Sequence, residues 1–319
     1  MKILFVFSGN SLYFDISPII NAQADSLRKL GNTIDYYPIK GKGIGGYISN
    51  IPQLKQYVKK GNYDIIHSHY SFCGVVSTLA TKKPVVCSLM GSDVKESGLW
   101  KLLIRYFIKH KWLKTIVKSE EMKKELGIDK VVVIPNGIDL EIFNPLDKNE
   151  CRKKLGWRQD SRIVLFAANP KRPEKNFSLA QKAIAALHIE DVELKVVYNV
   201  PHKEMPLYLN ASDLLLSTSL WEGSPNVIKE AMACNCPIVS TNVGDVKWLL
   251  DGVEGCFITT NDPKDVADKI NKALNIKGKT KGRDKLISLG LDSEHIAKKI
   301  IKVYEEVINN TSGKRVYGR

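Results

Sequence analysis

Short apolar runs alternate with amphipathic stretches along nearly the whole chain, the pattern of a parallel sheet with crossover helices. In the first half the apolar runs predict strands at 2–7, 33–37, 64–67, 84–88, 113–117 and 131–134. The stretches between them predict helices at 17–30, 51–60, 72–81, 99–111 and 120–126. The second half repeats the plan, with strands at 163–168, 193–198, 214–217, 237–241 and 256–258 and helices at 178–187, 225–233, 263–274 and 294–310. A length of 319 residues favours two domains, and the turn cluster Pro135-Asn136-Gly137-Ile138-Asp139 separates them near residue 140. In open sheets of this kind ligands bind at the carboxyl ends of the strands.

The most informative stretch starts at the strand 214–217 and runs through Trp221-Glu222-Gly223-Ser224-Pro225-Asn226-Val227-Ile228-Lys229-Glu230-Ala231-Met232-Ala233. Ser224 suits an N-cap and Pro225 the first helical position. The helix start over Gly223, Ser224, Pro225, Asn226 and Val227 then presents backbone amides and a positive dipole end to an anion. Glu222 sits in the loop ahead of that end. Glu230 lies one helical turn beyond Asn226 and Val227, on their face. Two carboxylates flanking a phosphate site suit a ligand with both phosphate and hydroxyls, a nucleotide sugar. The bland alternative is a helix with two solvated acids.

Glu222 followed eight residues later by Glu230, within this string, resembles the E-x7-E signature of the retaining glycosyltransferases of family four. The segment Cys236-Pro237-Ile238-Val239-Ser240-Thr241-Asn242-Val243-Gly244 is similar to that family as well. The resemblance implies an α/β GT-B fold, two Rossmann-like domains facing each other across a cleft. It implies an acceptor domain at 1–140, a nucleotide-sugar donor domain at 141–293 and a helix at 294–310 crossing back onto the first domain. It further implies a retaining transfer from a nucleotide-sugar donor, a UDP-sugar for example, to a glycan or lipid-linked glycan in surface polysaccharide or glycolipid synthesis. Glu222 would hold the donor sugar and Glu230 the ribose. In the loop Asn169-Pro170-Lys171-Arg172-Pro173-Glu174-Lys175, Arg172 and Lys175 are the diphosphate clamp. The family spaces its Arg and Lys further apart, and alignment on 173–175 puts Pro170 at the Arg position. His67-Ser68-His69-Tyr70 resembles the family's His-x-His-Tyr, which implies that His69 positions the transferred sugar while His67 supports the loop from within. Gly9, after the first strand, matches one of two glycines at the family's phosphate-side turn, the other being Asn10 here. Asp93 in Gly91-Ser92-Asp93 reads as a structural cap.

Net charge is +14, spread over both halves, which directs attention to anionic substrates or surfaces. No nucleic-acid motif accompanies it. Residues 99–118 carry six Lys or Arg, one His and no acid, with Trp100, Tyr106, Phe107 and Trp112 interleaved. Two readings stand: an interfacial helix in peripheral contact with anionic membrane, or a core-facing helix with a solvated basic face, its tail a buried strand. No apolar run is long enough to span a bilayer. The start of the chain reads as a strand rather than a signal peptide, and the cysteines lie in apolar patterns, so the expected place is the cytoplasm, with the inner membrane face as a site of reversible attachment. Cys234-Asn235-Cys236 has no Cys/His partner at finger spacing, and the chain has no Asp-x-Asp, so neither a metal nor any other cofactor is expected. Gly41-Lys42-Gly43-Ile44-Gly45-Gly46 is expected to be a flexible basic loop near the acceptor, or a linker. The tail 311–319 is expected to be disordered. A reading from another class is a non-catalytic GT-B-fold partner or membrane-binding subunit of a glycosyltransferase complex.

Overall fold

A computed structural model describes residues 1–11, 14–95, 98–276 and 278–316, with side chains of the last helix as far as Thr311. The chain divides into two compact units, Met1–Gly137 with Ser293–Arg319, and Ile138–Asp292.

The first unit is built on β1 (Lys2–Ser8), β2 (Thr33–Ile39), β3 (Ile65–His69), β4 (Val85–Ser88), β5 (Lys114–Val117) and β6 (Val132–Val133). Between them run α1 (Pro18–Lys29), α2 (Gly43–Ile48), α3 (Ile51–Gly61), α4 (Ser71–Ala80), α5 (Ser92–Lys95), α6 (Gly98–His110) and α7 (Glu120–Leu126). The sheet order is β2-β1-β3-β4-β5-β6, all pairs parallel. Strand β1 shows why: Ile3, Leu4, Phe5, Val6 and Phe7 are all buried, the continuous apolar run of a strand covered on both faces. Pro38 falls on the edge strand β2, where a missing N–H is tolerated.

The second unit has β7 (Arg162–Phe166), β8 (Val192–Val196), β9 (Leu214–Ser217), β10 (Ile238–Thr241) and β11 (Cys256–Thr259). Its helices are α8 (Lys148–Leu155), α9 (Phe177–Ala185), α10 (Met205–Ala211), α11 (Asn226–Ala233), α12 (Val246–Leu250), α13 (Pro263–Leu274) and α14 (Gly282–Ser288). The order β11-β10-β9-β7-β8 is again parallel. The unit starts at Ile138, earlier than residue 141, because Ile138 bridges to Asp292 and its N–H donates to the Leu291 carbonyl at 3.0 Å. The short helices α5, α8, α10, α12 and α14 are not among those the sequence pattern predicts.

From Ser293 the chain forms α15 (Ser293–Val316), part of the first unit, where it packs on α1. Tyr304, fully buried, meets His67 Nδ1 at 2.5 Å, and Glu306 pairs with Lys114 at 2.9 Å. The helix overruns its expected end at 310. The Thr311 hydroxyl bonds the carbonyls of Val307 and Ile308, so this polar residue satisfies itself within the helix. Residues 317–319 of the expected tail lie outside the described residues.

The expected glycine-rich loop at 41–46 is also corrected, for α2 occupies most of it. Long-range contacts fold it: Asn10 bonds both the N–H and the carbonyl of Gly41, the Tyr47 hydroxyl reaches Ser8, and Asn50 donates to the carbonyls of Lys40 and Gly46.

Helix α4 lies so close to the sheet that a Cβ at Gly74 would come within 2.7 Å of both Cys87 Sγ and Trp112 Cζ2. Trp112 and Cys87 are buried and packed on all sides. Gly74→Ala is therefore expected to cost about 1–3 kcal/mol, measured as a lower denaturant midpoint; an unchanged midpoint would show that the core relaxes without cost.

Candidate active site

In the second sheet the topology reverses between β7 and β9, and the loops leaving these two strands carry the candidate groups. The loop after β7 holds Arg172 and Lys175, and the loop after β9 holds Glu222. Backbone contacts tie the two loops together. Thr218 Oγ1 donates toward the carbonyls of Lys175 and Asn176, each at 3.0 Å, and the Leu220 N–H donates to the Glu174 carbonyl at 2.8 Å. Asn176 takes a left-handed conformation (φ 49°) that Asn tolerates, turning the chain from Lys175 into α9. The Lys175 ammonium then meets the Glu222 carboxylate directly, with both side chains less than a fifth exposed. Ser219 Oγ donates to the same Glu222 oxygen at 2.9 Å. Arg172 is not brought to this pair: its guanidinium is more than half exposed and binds Glu174.

Helix α11 begins at Asn226, so Pro225 is the residue before the helix rather than its first member, and no side chain caps that end. Ser224 was expected to cap it. Its hydroxyl instead donates to Asp245 Oδ2 at 2.7 Å and accepts from Lys229 Nζ at 3.1 Å. A bond to a carboxylate is stronger than one from a neutral amide, which explains the preference. Gly223 packs under Gly244, where a Cβ would lie 2.7 Å from the Gly223 carbonyl oxygen. Asn226 and Val227 open the first turn and Glu230 follows one turn on. Glu230 is 8% exposed at its side chain and its Oε1 meets His202 Nε2 at 2.8 Å. Burial pushes the His202 imidazole down and the bond and charge of Glu230 push it up; the upward effect prevails.

In the first unit, Gly9 ends β1 and donates to the Ile39 carbonyl at 2.8 Å. A side chain there would meet Pro38 Cβ at 2.7 Å, so a close approach of chain to chain requires the glycine. His67 and His69 close β3, their rings stacked at 4.3 Å. His67 bridges Tyr304 and Ser88, the latter at 2.8 Å, which is the supporting role expected of it. His69 is 2% exposed; burial, with the charge of Lys118, pushes its imidazole down to about 3, so it is neutral. Asp93 accepts from the N–H groups of Ser71 and Met90 at 2.8 and 2.6 Å, a structural cap.

Two family profiles match the chain, "Glycosyltransferase Family 4" over 19–142 and "Glycosyl transferases group 1" over 158–275. Together they take in most of its length. The two matches, one in each half, mark the chain as a glycosyltransferase. It is 26% identical over 317 residues to the Escherichia coli UDP-Gal:alpha-D-GlcNAc-diphosphoundecaprenol alpha-1,3-galactosyltransferase, covering 82% of this chain and 80% of that one. It is 29% identical over 243 residues to TuaC of Bacillus subtilis, described as a glycosyltransferase of teichuronic acid biosynthesis, covering 66% of this chain but only 61% of that relative's length. Its fold is that of sucrose-phosphate synthase from Thermosynechococcus elongatus (TM-score 0.81, 16% identity, 97% and 99% of the two chains). It is also that of Anabaena HepE in complex with UDP and glucose (TM-score 0.77, 16% identity, 96% and 100%). The two parallel-sheet units are thus those of the GT-B glycosyltransferases.

Sequence reasoning passed over His202, Lys229 and Asp245 in this glycosyltransferase. A lone His just after a strand end and a Lys inside an otherwise apolar helix run were the available signals. His202 gives a pH test. Its imidazole titrates higher in the folded chain than when unfolded, so its stabilising pairing is fully present below the ordinary value of about 6.5 and disappears as pH rises through the folded-state value. His202→Gln is expected to lower stability by about 1 kcal/mol at pH 6 and by much less at pH 9. Denaturation of both chains at the two pH values checks this, and an equal loss at both would remove the ion pair from the account.

Proposed function

We propose that this glycosyltransferase moves a sugar from a nucleotide-sugar donor to a glycan or lipid-linked glycan, with retention at the anomeric carbon and without a metal ion. The observation that carries the reading is the Lys175–Glu222 pair, held where the loops after β7 and β9 meet, one turn ahead of α11. Breaking the donor's glycosidic bond leaves charge on a diphosphate and a cation-like sugar. Lys175 and the start of α11, from Gly223 to Val227, supply positive potential for the first. Arg172 joins them by exchanging Glu174 for phosphate. Glu222 accepts hydrogen bonds from donor-sugar hydroxyls and orients the anomeric carbon. His202 holds Glu230 Oε1, so Oε2 is the oxygen for a ribose hydroxyl. These carboxylates do not form the acid and nucleophile pair of a retaining hydrolase; the acceptor attacks from the face the diphosphate leaves. The E. coli relative and HepE, named with UDP-Gal and with UDP, favour a uridine nucleotide.

Glu222→Gln is expected to lower kcat/KM at least about 100-fold with the fold intact, and near-normal turnover would sink its role. Lys175→Ala is expected to weaken nucleoside diphosphate binding about 10- to 100-fold, the worth of a charge-assisted bond, while leaving nucleoside binding unchanged. A chelator should leave activity as it is; a requirement for Mn²⁺ or Mg²⁺ would end the metal-free proposal.

We also propose that the acceptor is met at a bilayer. No helix among the described residues is long and apolar enough to cross one. Helix α6, however, exposes Leu99 (85%), Leu102 (64%), Leu103 and Tyr106 at helical spacing, with Lys101 and Lys109 beside them. Trp100 and Trp112 face inward, Trp100 stacked on Phe72 at 3.7 Å. Each cation near an anionic surface adds about 1 kcal/mol, screened over about 8 Å at physiological salt. The protein is expected to sediment with anionic vesicles at low salt and release at high salt, and Leu99→Ser with Leu102→Ser and Tyr106→Ser to abolish binding. Indifference of the wild type to such vesicles would make α6 an ordinary surface helix.

A further inference from the structure

Lys229 is fully buried, although it belongs to the helix that opens at the proposed phosphate site. An ammonium withdrawn from water costs several kcal/mol unless specific groups hold it. Here its Nζ donates to Ser224 Oγ at 3.1 Å, and Ser224 Oγ donates to Asp245 Oδ2 at 2.7 Å. Burial pulls the ammonium down to about 8, with the charges of Asp245 and Glu230 acting the other way. Asp245 is itself buried and follows Gly244, whose left-handed backbone (φ 57°) is pressed against the carbonyls of Gly223 and Glu222. Gly244 therefore presses on the turn between Glu222 and α11, and the chain of bonds Lys229–Ser224–Asp245 anchors its serine.

We infer that Lys229 is a positioning residue for donor binding: through Ser224 and Asp245 it sets the backbone of the Glu222–Pro225 turn, and so the place where the donor's diphosphate is received. This rests on the donor site proposed above. Ser224 is the one hydroxyl on the turn, and using it as the bridge explains why it does not cap the helix. The turn that presents the helix start is held by a buried cation and carboxylate instead.

The test uses Ser224→Ala, which cuts the middle link while keeping both charges, and the double variant Lys229→Met with Asp245→Asn, which removes both charges together. The second guards against a single substitution that leaves one buried charge unpaired and the chain unfolded. Wild type is first titrated with UDP, GDP and ADP, and the tightest of these and its parent nucleoside are then used throughout. The expected result is a melting temperature within a few degrees of wild type, unchanged nucleoside affinity and nucleoside diphosphate binding weaker by about tenfold or more. In turnover the donor KM should rise by a similar factor with a smaller change in kcat. Equal affinity of folded variants and wild type for the nucleoside diphosphate overturns the inference and leaves the donor-site reading standing. Equal loss for nucleoside and nucleoside diphosphate, or unfolding of both variants, overturns it in favour of a purely structural network. A wild type that binds none of the three diphosphates overturns the donor-site reading and the inference with it.

Discussion

The second unit's chemistry depends on the joining of two loops that leave adjacent strands. Thr218 spends its hydroxyl on two carbonyls of the Lys175 loop, and Leu220 binds the carbonyl of Glu174. The Lys175–Glu222 contact is thereby set by backbone as well as by side-chain rotamers. Two long side chains on a free surface would lose conformational entropy in holding one geometry, and such pairs contribute little. Here much of that ordering is already done by the loops, and partial burial strengthens the attraction. A diphosphate and a sugar would compete for these same two groups. On the proposed function each would find a partner that is already oriented, which is the condition for electrostatic preorganisation.

The charges around this pair are separated by the partners they find. Arg172 has an acid two residues away in Glu174, on its own loop, and takes it. Glu230 has His202. Lys229 and Asp245 share Ser224. Lys175 and Glu222, by contrast, meet only across loops, so a competing ligand separates them without dismantling either loop. Each cation thus has a nearest carboxylate of its own, although Lys229 also feels Glu230.

Much of the fold was legible because its strands are continuous apolar runs and its longer helices show a clear period. Strand β9 and helix α13 fall at the predicted residues. Glu222, Glu230 and Lys175 could be singled out because each lies in a string whose local order, strand then loop then helix, fixes its surroundings. The failures share a cause, a partner far away in the chain. Ser224 obeys Asp245, 21 residues on, rather than the capping rule. The glycine-rich segment before Ser49 is folded by Asn10 and Tyr47. Of the two readings of residues 99–118, Trp100 and Trp112 follow the core-facing one, packed by Phe72 and the core.

The two units divide their electrostatics in a way that constrains any mechanism. At the end of β3 burial, with the charge of Lys118 beside them, keeps His67 and His69 uncharged, and Ser88 and Tyr304 hydrogen-bond to His67. A neutral imidazole suits a hydroxyl and offers no charge to a diphosphate. At the ends of β7 and β9 the groups are ionic, Lys175 and Glu222 foremost. Raising the charge of His69 would require restoring water to a position that is 2% exposed, and the nearby Lys118 opposes it further. The surroundings of His69 thus disfavour its cationic form.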